Sequence, residues 1–363
     1  MSDLFKEIKI GNTRFSNRIV MAPLTRARSG ENRVPNSLMK QYYQQRSSAG
    51  LILSEATVIS KQGIGWVNTP GIYSSEQVAG WKKITDAVKE KSGKIFLQLW
   101  HCGRASHSDF LDGQATVAPS AIAIQDGEIH TPQGKKKHET PRALDISEIK
   151  SIIEDYYQAS VKAKDAGFDG IEIHSANGYL LDTFLQSKTN TRTDDYGGSI
   201  ENRCRLLSEI IDRVKTVWQS DQISVRLSPN GNFNDMGSDD FREQFIAVTQ
   251  MIEKNKIGIL HVMDGLGFGF HEKGEPMTLS DFRKIYSGVI IGNCGYTREK
   301  AIERVDNGDA DMIAFGRPYI SNPDLAERLI NNYELNPDAP MDVWYDASKG
   351  EKGYIDFPIY EAN

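Results

Sequence analysis

The chain has 363 residues, of which 39% are apolar or aromatic (AVILMFWYC) and 25% charged, with a net charge of −6 and a pI near 5.7. This excludes a disordered chain, a collagen-like chain and a small disulfide scaffold, and it argues against a dedicated nucleic-acid binder, which carries a basic excess. The basic cluster Lys135, Lys136 and Lys137 reads as a solvated loop. Cys102, Cys204 and Cys294 lie far apart and form no CxxC, which suits a reducing compartment. The start, MSDLFKEIKI, lacks the apolar core of a signal peptide, and no apolar run nears the roughly 18 residues of a membrane span. The end, YEAN, is not a peroxisomal address, so a cytoplasmic location is expected.

Residues 8–17 read as a hairpin turning at Gly11-Asn12, the kind of plug that a barrel's bottom needs. Short apolar, β-rich runs follow at 19–22, 51–54, 95–99, 170–174, 223–227, 258–262, 289–291 and 312–315. Helical patterns lie between them. Asp145 with Glu148 forms a capping-box pair ahead of Ile149, Ile152, Ile153 and Tyr156. Further amphipathic stretches cover 199–218, 241–252, 299–305 and 324–330, and Gly167, Gly258 and Gly308 stand where left-handed C-caps are expected. Eight such runs alternating with helices predict an α/β fold, a (β/α)8 TIM barrel with an N-terminal hairpin plug, as one domain over 1–363. The polar stretch 105–144, after the third strand, reads as a lid or insertion, and 341–363 as a C-terminal tail.

Strand alternation has period two. With Ile95, Leu97, Leu99, Ile171, Ile173, Val225 and Leu227 facing the helices, Gln98, Glu172, His174 and Arg226 point into the barrel or its rim. Barrel interiors are normally apolar, and polar groups there are costly unless paired or used. Either Glu172 and Arg226 form an internal ion pair beside a satisfied histidine, or the set belongs to a ligand site at the C-terminal mouth.

Gly292-Asn293-Cys294-Gly295 follows the seventh run and Gly316-Arg317 the eighth. Small residues let backbone N–H groups reach an anion, and Arg317 can grip phosphate oxygens in a bidentate fork. These are the usual phosphate loops of a barrel. Across the mouth, the Gln98 amide and Arg226 suit a flat heterocycle with an N–H between carbonyls, as in flavin mononucleotide (FMN), whose reduced ring a cation stabilises. The Thr25 hydroxyl, just past the first strand, could lie near the same ring.

Six motifs run in order along nearly the whole chain: Pro23-Leu24-Thr25-Arg26, Gln98-Leu99-Trp100-His101, His174-Ser175-Ala176-Asn177-Gly178-Tyr179, Arg192-Thr193-Asp194-Asp195-Tyr196-Gly197-Gly198-Ser199, Phe315-Gly316-Arg317-Pro318 and Ser321-Asn322-Pro323-Asp324-Leu325. Together they resemble the old yellow enzyme family, in particular its N-ethylmaleimide reductase and oxophytodienoate reductase branch. The resemblance implies non-covalent FMN and reduction, by NADPH or NADH, of the C=C bond of electron-poor alkenes such as enones, enals, maleimides and nitroalkenes. It implies flavin-ring contacts from Pro23, Thr25, Ala56, Gln98 and Arg226, and phosphate contacts from Asn293, Gly295, Gly316 and Arg317. It implies that His174 and Asn177 hold the substrate oxygen, that Tyr179 donates the proton, and that Trp66, Trp100 and Tyr354 line the substrate pocket. Some relatives carry histidine at the place of Asn177; both side chains donate a hydrogen bond, so this bears on substrate ranking. The expected partners are an activated alkene and a nicotinamide, with no nucleic acid, membrane or metal, in a monomer or homodimer.

The chemistry agrees with these roles. Hydride arriving at a β-carbon builds negative charge on the carbonyl oxygen, where two preorganised donors act as an oxyanion hole. The α-carbon then needs a proton, which a tyrosine hydroxyl can supply. A metal hydrolase needs convergent ligands, and the seven histidines contain no HxH or HExxH. A retaining glycosidase would nominate Glu55 and Glu172. The run Gly265-Leu266-Gly267-Phe268-Gly269-Phe270 fails the dinucleotide fingerprint GxGxxG. A flavin-binding module without turnover is opposed by the His174, Asn177 and Tyr179 set.

Overall fold

Eight parallel strands close on themselves in the computed structural model, which describes residues 2–267 and 269–361. Phe268 of the 265–270 run and residues 362 and 363 of the tail lie outside the described residues. The strands are β1 (Ile19–Met21), β2 (Leu51–Leu53), β3 (Ile95–Trp100), β4 (Gly170–His174), β5 (Ile223–Leu227), β6 (Ile259–Met263), β7 (Val289–Asn293) and β8 (Met312–Phe315). Each pairs with the next, and Ile313 of β8 pairs with Ile19 of β1, which shuts the barrel. The fold is the expected (β/α)8 TIM barrel.

The main outer helices are α1 (Ser37–Gln45), α2 (Ser75–Glu90), α3 (Ile146–Asp165), α4 (Leu180–Leu185), α5 (Ile200–Val214), α6 (Phe241–Lys254), α7 (Leu279–Arg283) and α8 (Arg298–Asp306). The Asp145 N–H donates to Glu148 at 2.9 Å, as the capping-box pattern requires. Helix α1 escapes a search for aliphatic periodicity because its buried stripe is Met39, Tyr42 and Tyr43. Gly167 and Gly308 take the left-handed φ expected after α3 and α8, but Gly258 does not cap α6. Lys256 takes that conformation, with φ +55°. Gly258 serves a close approach instead: a Cβ there would lie 2.6 Å from Asp221 Cα. No helix among the described residues is long and apolar enough to cross a membrane.

Aliphatic side chains of the strands, among them Ile52, Leu97, Leu99, Ile171, Ile173, Val225 and Leu227, pack outward in the large core with the helices. A separate cluster fills the bottom of the barrel with Val20, Leu51, Leu53, Phe96, Ile259, Ile291 and Met312. The hairpin Ile8–Ile10/Thr13–Phe15 seals it from below, adding Ile10 and Phe15 to that cluster.

The insertion after β3 carries a second hairpin, Glu128–Thr131 with Gly134–Lys137. Lys135, Lys136 and Lys137 therefore sit on a strand rather than in a loop, and Lys136 pairs with Asp109 at 2.7 Å. Ser108 Oγ donates to Glu139 at 2.8 Å, which ties the base of the insertion together. In the tail, Arg26 donates to the carbonyls of Trp344 and Gly353 at 3.0 and 2.7 Å, and Arg28 to that of Val343 at 2.9 Å.

Phe15 is 1% exposed and meets Phe96 edge-on. Replacing it by Ala should cost about 3–5 kcal/mol in a denaturant titration. A loss below about 1 kcal/mol would show that the hairpin does not seal the barrel.

Candidate active site

Above the apolar floor, four consecutive strands each turn a polar side chain inward: Gln98 from β3, Glu172 from β4, Ser224 from β5 and His261 from β6, all buried. Glu172 is in register with Gln98 on one side and Ser224 on the other. Gln98 Nε2 donates to Glu172 Oε1 at 2.8 Å, while Ser224 Oγ and His261 Nδ1 donate to Oε2 at 2.9 and 2.8 Å. Burial pushes the carboxyl pKa up, but the hydrogen bonds from His261 and Ser224 and the Arg226 charge outweigh it and hold Glu172 ionised, below its ordinary range. Burial pulls His261 below its ordinary range against the pull of Glu172, so its ring is neutral.

The expected ion pair between Glu172 and Arg226 does not form. Arg226 Nη2 donates to Asn293 Oδ1 at 2.8 Å. The reason is register: Ser224 stands level with Glu172, and Arg226 lies one layer higher, level with His174. Asn293 Nδ2 donates to the Ala314 carbonyl, which aims Oδ1 at the guanidinium.

After β7, Cys294 and Gly295 take φ of +89° and +82°. A Cβ on Gly295 would meet nothing within 4 Å, so the backbone is open there. This loop, with Pro23, Gly316, Arg317 and Arg226, encloses a cavity of about 310 Å³. Arg226 Nε is buried inside the barrel without a partner.

The turn after β4 is held from three sides. Asn177 and Gly178 take φ of +58° and +70°. Ser228 Oγ accepts the Asn177 N–H, Asp182 Oδ2 accepts that of Gly178, and Asn234 Nδ2 donates to the Asn177 carbonyl, each at 2.8 Å. The turn sets the Tyr179 ring edge-on to Trp100 and His174, at 4.9 and 5.1 Å between centroids. Burial, with Arg226 adding, pulls His174 down to about 3, and its Nδ1 is buried without a partner. Burial, reinforced by the Cys102 thiol, raises the Tyr179 hydroxyl above its ordinary value, so it keeps its proton at neutral pH.

Tyr179 and Trp66 line a second cavity of about 330 Å³, with Ile129, Phe233, Asn234 and Tyr345. His174 lines neither cavity but stands level with Arg226, which lines the first, and against the ring of Tyr179, which lines the second. Ala56 packs with Trp100 and Tyr179 in the adjoining apolar cluster, and Thr25 is half-buried just before the Arg26–Ala27 backbone. Tyr354 departs from expectation. It is fully buried, stacked on Tyr42 at 4.2 Å with Arg26 and Arg28 beside its ring, and does not line this cavity. Tyr345, nine positions earlier, takes the wall and meets Trp66 at 5.3 Å. Ile129, Phe233 and Tyr345 come from the insertion hairpin, the β5–α6 loop and the tail, where no periodicity marks them.

Glu55 is 1% exposed and lines neither of these two cavities; it accepts the Arg26 and Ala27 N–H groups at 3.3 Å and the Tyr43 hydroxyl at 3.2 Å. It holds the segment after Thr25, and burial lifts its pKa to about 7. Asp182, beneath the Asn177 turn, is likewise lifted by burial, to about 6.

An open phosphate-sized cradle, a buried guanidinium with an unused N–H and an amide at the mouth fit FMN. They define a nucleotide-binding barrel built for a flavin at the C-terminal ends of its strands. The chain belongs to the NADH:flavin oxidoreductase / NADH oxidase family, whose model matches residues 3–336, and within it to the old yellow enzymes. It is 40% identical to 12-oxophytodienoate reductase 7 of Oryza sativa subsp. japonica, over 98% of this chain and 94% of that one. It is 38% identical to a probable flavin mononucleotide-dependent alkene reductase of Leishmania infantum, over 98% and 97%. The solved old yellow enzyme homologue from Zymomonas mobilis superposes with a TM-score of 0.94 at 42% identity, over 99% of this chain and 100% of that one. Morphinone reductase, also solved in complex with tetrahydroNAD, superposes at 0.92 with 39% identity, over 99% and 98%. The protein is thus an FMN-dependent oxidoreductase of the alkene-reducing old yellow enzyme family.

A carboxyl whose folded pKa is raised favours the folded state in its protonated form, and that contribution is lost as pH rises from the unfolded to the folded value. For Glu55 the window runs from 4.5 to about 7, which corresponds to roughly 3 kcal/mol at most. Glu55→Gln should therefore gain stability relative to the parent as pH rises from 5 to 8. Denaturant titrations of both proteins across that range check it; a constant difference would mean that Glu55 does not titrate in the folded protein.

Proposed function

We propose that this protein reduces the C=C bond of electron-poor alkenes (enones, enals, maleimides and nitroalkenes) at the expense of NADPH or NADH, with a single barrel over 1–363 carrying the whole reaction in the cytoplasm. The observation that carries this reading is His174 standing level with Arg226, which lines the first cavity, and against the ring of Tyr179, which lines the second, with Asn177 in the turn between them. FMN, held by Pro23, Thr25, Ala56, Gln98 and Arg226 at its ring and by Asn293, Gly295, Gly316 and Arg317 at its phosphate, would relay hydride from nicotinamide to alkene.

The chain's own residues supply the rest. His174 is neutral and Asn177 is an amide, so both offer hydrogen bonds to a substrate oxygen without adding charge. Negative charge growing on that oxygen strengthens both bonds, and this difference between ground and transition state accelerates the step. Tyr179 stays protonated at neutral pH and is therefore a loaded proton donor for the α-carbon. Trp66 and Tyr345 wall the cavity with rings that exclude water and orient a flat substrate, while Trp100, expected beside them, is buried behind Tyr179 and does not line it.

The purified protein should be yellow and release FMN, not FAD or riboflavin, on denaturation. A colourless preparation that still reduces alkenes would overturn the reading. Arg317→Ala should weaken FMN retention by about 1.5–3 kcal/mol, the worth of a hydrogen bond to a charged group, as read from the FMN dissociation constant; unchanged retention would remove Arg317 from the phosphate site.

Tyr179→Phe keeps the ring and removes the hydroxyl. In anaerobic stopped-flow, flavin reduction by the nicotinamide should stay near the parent rate, while reoxidation by cyclohexenone should slow by about 10²–10⁴. Equal slowing of both halves would make Tyr179 structural, and unslowed reoxidation would mean that another group delivers the proton.

A further inference from the structure

Glu172 lines neither cavity and is fully buried one layer below the mouth. An ionised carboxylate accepts hydrogen bonds and cannot donate them. The end of Gln98 that meets Glu172 Oε1 is therefore its NH₂, and the Gln98 carbonyl oxygen is left for a ligand above. With three donors already on the carboxylate, the orientation has no competitor within the layer. Arg226 and Glu172 also act on each other electrostatically across one layer, although they share no hydrogen bond. His174 and His261 are both neutral, so the cation at the mouth is balanced by the anion beneath it. In a dry interior such an interaction carries much further than in water.

We propose that Glu172 is a positioning residue for the flavin: its carboxylate orients the Gln98 amide and offsets the Arg226 charge, and in this way it sets the reduction potential of bound FMN without touching it. The inference rests on the FMN reading above and deepens it. Offsetting Arg226 lessens the preference of the site for the reduced, negatively charged flavin, so removing the offset favours reduction.

The test is the FMN reduction potential of the holoenzyme, measured by dye equilibration in the parent, Glu172→Gln and Glu172→Asp. Gln keeps the size, removes the charge and exchanges one acceptor oxygen for an NH₂ donor. Its potential should be more positive than the parent's, with the preference for reduced over oxidised flavin raised at least tenfold, about 30 mV for a two-electron couple. Asp restores the charge and should return the potential toward the parent value. A Glu172→Gln protein that holds FMN at the parent potential overturns the inference while leaving the FMN reading intact. A parent that contains no FMN overturns both. If neither variant folds, the parent itself decides: FMN methylated at the ring N3 should bind at least tenfold more weakly than FMN, because the Gln98 oxygen expects an N–H there. Equal affinity would show that Gln98 is not oriented in this way.

Discussion

A carboxylate enclosed by a closed barrel has to be satisfied by the barrel's own strands. Glu172 is satisfied by one neighbour from β3, one from β5 and one from β6. Each hydrogen bond to such a charge is typically worth about 1.5–3 kcal/mol, so the carboxylate ties these four strands together, His261 reaching it from the register position of Arg226. The interior divides at that carboxylate. Below it the interior is apolar and sealed by Ile10 and Phe15 of the hairpin. Above it Arg226, His174 and Trp100 emerge at one height around the mouth.

The loops that complete the site are built from conformations that L-residues rarely adopt. Asn177 and Cys294 both have positive φ, which for non-glycine residues costs on the order of 1–3 kcal/mol where strain is not relieved locally. Each is held by neighbouring polar groups. Ser228, Asp182 and Asn234 grip the first turn. Asp264 accepts the Asn293 N–H at 3.0 Å and the Tyr296 hydroxyl at 2.7 Å around the second. The wall of the Tyr179 cavity has a similar dependence on distant residues: Tyr345 is where it is because Arg26 and Arg28 bind the tail carbonyls on either side of it, and Glu55 in turn binds the Arg26 backbone.

What could be read in the sequence is what depends on short-range periodicity. Alternation within 95–100, 170–174 and 223–227 was enough to turn Gln98, Glu172, His174 and Arg226 inward, and the glycines after β7 and β8 marked the loops that enclose a cavity with Arg226 and Arg317. Alternation says which face a side chain takes but not how high it stands relative to the next strand. That stagger decides that Ser224, not Arg226, meets Glu172. His261 was invisible for a related reason, since a histidine in an apolar strand carries no sign of the carboxylate two strands away. Tyr345 and Tyr354 are both aromatics in an irregular tail, and only the packing of Tyr354 on Tyr42 separates the buried one from the exposed wall.

The layers also divide the labour between charge and protons. Burial keeps His174 and Tyr179 uncharged, so both retain a proton at neutral pH and add no net charge of their own. The permanent charges, Arg226 and Glu172, lie in the barrel wall, away from the Tyr179 cavity. A charged imidazole at the His174 position would stand beside Arg226, and that repulsion, after burial, is one of the reasons its pKa is depressed. The neutrality of His174 thus follows first from its burial and then from the guanidinium beside it, so the one permanent cation of this layer is Arg226, set against the Glu172 carboxylate below.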